Sequence, residues 1–317
     1  MNDFAKCLFC GESLPDGAAD FHPSCSRKFF GSPTAPELPY SLGELHELAQ
    51  HIVERSIAVT GVQPKLSLAF EKNVREGISR LTLVGLWGDY ILKPPNAQFP
   101  ELVENEQLTM SLAQVFGIET VPFSLIRLRS GELAYLTRRI DRSRAGKLQM
   151  EDFCQLSERL TEYKYRGSVE QIAKVIRRFS SNPGLDVANF VEVVVFCFLT
   201  GNADMHLKNY SLLTLPDGDI RLAPAYDLVA TTLAMPTDPE ESALTVNGKR
   251  SRLTLADFAA FAAHAGLPEA VFKKILQKMQ RKMPAAQAKI GQSWLSDDMK
   301  TAYRKMLEER LARLEGG

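Results

Sequence analysis

No stretch of this chain is apolar for long enough to cross a bilayer as a helix. The most apolar run, Phe190 to Thr200 (FVEVVVFCFLT), is about half the length a spanning helix needs, and Glu192 interrupts it. It reads instead as a buried helix of a protein core. The N-terminus, MNDFAKC, lacks the charged-then-apolar pattern of a secretory signal, so a cytoplasmic location and no membrane partner are expected. Net charge is also missing. The 38 basic and 38 acidic side chains cancel, so no whole-molecule field demands nucleic acid or a lipid surface. Cysteine is scarce and odd in number: five, without an export signal, argue against a disulfide framework. Cys154 and Cys197 lie in apolar segments and read as small core residues. Internal repeats and low-complexity tracts are absent.

What remains is ordinary for a globular protein, 45% hydrophobic and 24% charged over 317 residues, enough for one large domain or two lobes. Residues 1–31 form a compact Cys/His unit, followed by a proline-rich connector, SPTAPELP. Ser41 to Val53 is predicted helical, with Ser41 as N-cap and Glu44 as its capping-box partner. Strand-like alternation runs through Leu66, Leu68 and Phe70, then Leu81 and Leu83, then Tyr90 and Leu92. Glu101 to Phe116 reads as a helix closed by Gly117, and Phe123–Arg129 with Glu132–Arg139 as a hairpin turning at Ser130-Gly131. Beyond Gly146 the predicted elements are mainly helices: 150–160, 169–180, 187–200, 253–265, 268–283 and 297–314. One hairpin, around PDGD, interrupts them. The expectation is an α+β protein of two lobes, strand-rich over 32–145 and helical over 146–317.

The most informative segment follows the apolar run: Gly201-Asn-Ala-Asp-Met-His-Leu-Lys-Asn209. Asp204 and Asn209 are five apart, and Asp227 comes after one short hairpin. Phosphoryl transfer needs a carboxylate to accept the proton of the attacking hydroxyl, with an amide oxygen and a second carboxylate to hold Mg²⁺ on the ATP phosphates. Protein kinases use this Asp-to-Asn spacing, a hairpin and a metal-binding Asp. Asp204 is therefore the candidate base and Asn209 and Asp227 the candidate Mg²⁺ ligands, while Lys208 would steady the transferred phosphate. His206, after the Asp rather than before it, is grouped with the nucleotide-binding set. The bland alternative is a polar turn with Asp204 as a helix cap.

A kinase also needs a strand lysine paired with a helix glutamate. Lys93 ends the strand Tyr-Ile-Leu-Lys. Glu106 shares a helical face with Val103, Met110 and Ala113, and Glu104 is the alternative partner. The phosphate-covering segment would be Ala58 to Lys65, holding Thr60 and Gly61, although a single glycine is a weak signal and a plain turn reads equally well.

Taken together, TGVQPKLSL (60–68), YILKP (90–94), ENE with M-x-L-A (104–113), TRRIDR (137–142), GNADMHLKN (201–209) and PAYDL (224–228) resemble the HipA family, in its order. The resemblance implies a protein-kinase-like fold, use of ATP and Mg²⁺, and Ser/Thr phosphorylation of a protein, as in toxins that act on aminoacyl-tRNA synthetases. It also implies a HipB-like DNA-binding antitoxin as partner, with DNA reached only through it. The chain is similar to the short HipT branch, whose N-terminal subdomain comes from a separate small protein, HipS. Familiar members carry an autophosphorylated serine where Ala58 stands here, which leaves Thr60 and then Ser56 as the hydroxyls nearby. Phosphate there would add about −2 charge beside an anionic site.

Near the start, Cys7-x2-Cys10 and His22-x2-Cys25 have the ligand types and spacing of a structural zinc site; reduced thiols packing Phe9, Phe21 and Phe29 are the alternative. Two other functions stay open on sequence: a small-molecule or lipid kinase sharing the same Asp204 and Asn209, and a pseudokinase acting as a binding module.

Overall fold

Pro23 opens the first helix, α1 (Pro23–Phe30), where a missing N–H leaves no bond unmade, and Gly31 closes it at φ 80°. Helix α2 (Leu42–Arg55) starts on the expected capping box. The Glu44 carboxylate accepts from the Ser41 N–H at 2.7 Å and from its hydroxyl at 2.8 Å, and Ser41 Oγ accepts from the Glu44 N–H at 3.4 Å. The computed structural model describes residues 6–15, 17, 19–55, 65–73, 78–84, 88–143 and 146–316. It divides into a first unit, Met1–Gln107 with Val121–Ile140, and a second, Leu108–Thr120 with Asp141–Gly317.

The first unit holds an antiparallel sheet in the order β2-β1-β3-β5-β4. Its strands are β1 (Leu66–Asn73), β2 (Ile78–Leu83), β3 (Tyr90–Lys93), β4 (Phe123–Arg127) and β5 (Leu133–Arg138); helix α3 (Leu102–Val115) falls between β3 and β4 in sequence. Register puts Leu66 opposite Leu92 and Leu92 opposite Leu136, so the leucines of the period-2 pattern form one buried layer. Helix α3 ends at Gly117, φ 77°, as its sequence predicts.

The second unit contains two short strands, β6 (Arg142–Ser143) and β7 (Gly146–Lys147), and a three-stranded sheet of β8 (Met150–Asp152), β9 (Ser211–Thr214) and β10 (Ile220–Leu222). Its helices are α4 (Phe153–Leu156), α5 (Val169–Phe179), α6 (Pro183–Leu199), α7 (Thr231–Ala234), α8 (Leu255–His264), α9 (Glu269–Gln292) and α10 (Asp297–Leu314). The apolar run is the centre of this unit: α6 is buried without a break from Val193 to Leu199. Phe196 meets Phe116 at 5.6 Å, Phe190 meets Phe261 at 6.0 Å, and Phe198 meets Phe258 at 5.0 Å between ring centroids. The fold is α+β, strand-rich in the first unit and helical in the second. No helix among the described residues is long and apolar enough to cross a membrane.

Two elements differ from expectation. Residues 150–160 are not one helix: Met150 to Asp152 pair with β9, and only then does Asp152 cap a single turn, in a reciprocal box with Gln155. Glu158, at φ 53°, turns the chain away. The helix predicted to stop at Met283 instead runs through Pro284 to Gln292. Proline there removes one helical hydrogen bond, at about 3 kcal/mol. Burial of Ala286 and Ile290 beyond it, in a helix packed on α10, offsets that loss.

Candidate active site

The end of α6 sets the geometry of the loop that follows. Buried Arg310 donates to the Phe198 carbonyl at 2.5 Å, placing a cation at the negative end of the helix. Gly201 then reverses the chain at φ 70°, and a Cβ there would lie 2.5 Å from Met306 Sδ. The left-handed φ favours glycine at that turn. Past it the loop is tied down by its own polar groups. Ala203 N–H donates to Thr231 Oγ1 at 2.8 Å, and Asp204 N–H donates to Asn202 Oδ1 at 3.2 Å. Asn202 Nδ2 reaches the Asp227 carbonyl at 3.5 Å.

Asn209 is buried, and its Nδ2 donates to the backbone carbonyl of Asp204 at 3.0 Å. A carbonyl only accepts, so this bond fixes the amide orientation and leaves Oδ1 as the acceptor. Asp227 is held at φ 56°, in the left-handed region where a non-glycine residue persists only if its surroundings enforce it. An amide oxygen and a carboxylate are hard oxygen donors of the kind Mg²⁺ takes. Lys208 pairs with Asp152 at 2.6 Å, so its ammonium rests on the capping carboxylate of α4. Tyr226 steadies the same stretch, donating to the Lys208 carbonyl at 3.1 Å.

The structure adds a residue that the sequence did not reveal. Tyr165 donates its phenolic proton to Asp204 Oδ1 at 2.8 Å, and its ring stands edge-on to His206 at 5.1 Å. The loop carrying it is braced by Arg250, which donates to the Tyr165 carbonyl at 2.5 Å. Asp152 was likewise missed, although the D-F-C-Q spelling at 152–155 is a readable capping box.

His206 is buried, and among the described residues its Nδ1 has no hydrogen-bond partner. Burial lowers its pKa to about 4, against an upward pull from Asp204 and with a further push down from Lys164. An unfolded histidine titrates near 6.5, so below that pH the unfolded chain binds a proton that the folded one refuses. Stability is therefore full above about pH 6.5 and falls as pH drops toward about 4, by up to roughly 3 kcal/mol. Thermal unfolding across that window should show the slope in the wild type and a shallower one in His206→Gln; equal slopes would remove His206 as its source.

In the first unit, Lys93 Nζ and Glu106 Oε1 form a buried pair at 2.5 Å, with the ammonium 5.4 Å from the Tyr135 ring centre. Glu104, the alternative partner, is half-buried, and burial raises its pKa. Ser56, Thr60 and Gly61 lie outside the described residues. Cys7, Cys10, His22 and Cys25 come together, with all four ligand atoms within 4.8 Å of one another. Burial works against a charged Cys7, but N–H groups of Cys10, His22 and Phe9 outweigh it and bring its pKa to about 7; burial and the neighbouring sulfurs push Cys25 up to about 12.

Residues 57–287 match the family described as the HipA-like C-terminal domain. The chain belongs to the HipA family. Among similar proteins, the kinase-named Y4dM of Sinorhizobium fredii is 31% identical over 84% of this chain and 65% of its own length. Y4mE of the same organism is 33% identical over 67% of this chain and 51% of its own length. The serine/threonine-protein kinase toxin HipA of Shewanella oneidensis is 28% identical over 74% of this chain and 57% of its own length. The chain thus spans only 51–65% of these relatives. Among solved structures, the Shewanella complex of HipA, HipB and operator DNA includes a chain matched with a TM-score of 0.70 at 22% identity, over 96% of this chain and 75% of that one. The Helicobacter pylori proinflammatory kinase CtkA matches with a TM-score of 0.51 at 16% identity, over 73% of this chain and 87% of that one. These likenesses make the fold HipA-like and kinase-like, and the family is one whose relatives carry kinase and toxin names.

Proposed function

We propose that this HipA-family chain is an ATP- and Mg²⁺-dependent serine/threonine protein kinase, with lobes over 32–145 and 146–317 and a Cys/His unit over 1–31. The observation that carries the reading is the Asn209 amide locked onto the Asp204 backbone by a loop that also anchors Asp227. Asp204 would accept the proton of the acceptor hydroxyl as that oxygen attacks phosphorus. Asn209 and Asp227 would hold Mg²⁺, which neutralises phosphate charge when bound. Lys93, aligned by Glu106, would contact the nucleotide phosphates. Thr60, Gly61 and His206 would complete the nucleotide site, and Lys208, anchored by Asp152, would lend positive charge near the transferred phosphate.

Tyr165 is a positioning residue in this scheme. By donating to Oδ1 of Asp204 it fixes the carboxylate plane and leaves Oδ2 for the acceptor hydroxyl. Tyr165→Phe should lower kcat roughly tenfold, the worth of one hydrogen bond to a charged group, with the KM for ATP unchanged. A raised kcat would mean instead that the phenol obstructs the acceptor.

The family supports a protein acceptor in the translation machinery, such as an aminoacyl-tRNA synthetase. It also supports action in the cytoplasm, a HipB-like antitoxin that links the kinase to DNA, and a small HipS-like partner. Incubation with labelled ATP, Mg²⁺ and separate protein, lipid and small-molecule fractions of a bacterial extract tests the acceptor class. Mass spectrometry then locates each phosphate, including any on Thr60 or Ser56. Label confined to lipid or small molecules would replace the protein-kinase reading with a metabolite-kinase one.

A further inference from the structure

The N-terminal Cys/His unit supplies none of the groups of the proposed reaction, and its geometry is that of a closed metal site. Cys10 Sγ and His22 Nδ1 are 3.5 Å apart, and Cys25 Sγ and His22 Nδ1 are 3.8 Å apart. Zinc–sulfur bonds of about 2.3 Å and zinc–nitrogen bonds of about 2.0–2.1 Å at tetrahedral angles give an S-to-N edge of about 3.6 Å. The side chains already stand at that spacing, with Cys7 closing the set.

The backbone and outer contacts agree. Gly11, at φ 81°, turns the chain back after Cys10, with its N–H on the Cys7 carbonyl at 2.8 Å. The His22 N–H lies 3.5 Å from Cys7 Sγ, a donor aimed at sulfur. His22 Nε2 lies 3.1 Å from the Ser13 carbonyl. Since a carbonyl can only accept, the proton belongs on Nε2 and the lone pair of Nδ1 faces the sulfurs. Cys25 comes from the first turn of α1, which His22 precedes as N-cap.

We propose that Cys7, Cys10, His22 and Cys25 bind one Zn²⁺ ion in a tetrahedral site of three sulfurs and one nitrogen that staples this segment to the sheet of the first unit. Four protein ligands leave no open position, so the ion is structural. The attachment is specific. The Leu8 carbonyl accepts from Leu125 N–H at 3.0 Å and Ser124 Oγ at 3.2 Å, and Arg127 donates to Asp20 at 2.8 Å. Phe29 and Phe30 pack on Tyr90 at 5.8 and 6.1 Å, at the start of β3, the strand that ends in Lys93. A segment this short has little core of its own, and metal binding supplies the missing folding free energy.

The proposal stands whether or not the chain is a kinase, and its test does not read activity. Elemental analysis of the full-length purified chain should find one zinc per chain. Exchange into cobalt should give the sulfur-to-metal charge-transfer and d–d bands of a tetrahedral thiolate site. His22→Gln and Cys25→Ser should lose the metal, whereas Cys154→Ser should keep one equivalent. Should either ligand variant fail to fold, the wild-type cobalt spectrum still decides. Substoichiometric metal with no tetrahedral cobalt spectrum, or one equivalent of iron in place of zinc, overturns the assignment.

Discussion

Asp204→Asn should reduce phosphoryl transfer by about 10²–10⁴-fold, the range a positioned general base contributes, while leaving nucleotide affinity and thermal stability near wild type. The substitution removes a charge and a proton acceptor but little volume. The loop does not depend on the carboxylate for its shape: the backbone carbonyl of Asp204 takes the Asn209 amide, and its N–H goes to Asn202. Among the described residues, the side chain's hydrogen-bond partner is the Tyr165 phenol, which can donate to an amide oxygen as well. A variant that binds ATP normally and fails only in transfer assigns Asp204 to the chemistry. Unchanged transfer in Asp204→Asn would remove it from that role.

The second large effect is expected at Lys93 and Glu106, where function and stability are entangled. Both side chains are almost fully buried, so deleting either takes the 2.5 Å partner away from a buried charge. Breaking such a pair costs roughly 3–5 kcal/mol, whereas replacing both members with apolar side chains of similar size is far milder. Lys93→Met and Glu106→Leu should each destabilise the fold by about that amount, and the double variant by clearly less than their sum. Phosphoryl transfer should be lost in all three, since the proposed phosphate contact needs both the Lys93 ammonium and the Glu106 carboxylate that aligns it. A double-mutant cycle followed by denaturant unfolding, with ATP binding measured alongside, separates the two consequences. Additive destabilisation would show that the pair is not coupled as its 2.5 Å contact implies.

Much of this arrangement is legible in the sequence, for local reasons. The run from Phe190 to Thr200 is apolar on every face because α6 is buried on every face. Asp204 and Asn209 share one short loop, so their relation is carried by spacing alone. Glu106 could be preferred over Glu104 because it shares the apolar face with Val103, Met110 and Ala113, and the structure pairs it with Lys93. Tyr165 was not legible: its partner lies 39 residues away, and the contact depends on how an irregular loop is braced. Strand β8 is three residues long and shows no period, so it merged with the helical pattern after it. At Pro284 the local rule against proline yields to a buried face that continues beyond it.

The proposed reaction is transfer of the ATP γ-phosphate to a protein hydroxyl. Its most direct test is incubation of the wild-type chain, and of Asp204→Asn, with labelled ATP, Mg²⁺ and a bacterial protein extract. Label is expected on serine or threonine of discrete proteins with the wild type, abolished by chelating Mg²⁺ and by the substitution. Equal labelling by wild type and variant, or none by the wild type even with a HipB- or HipS-like partner present, would contradict it.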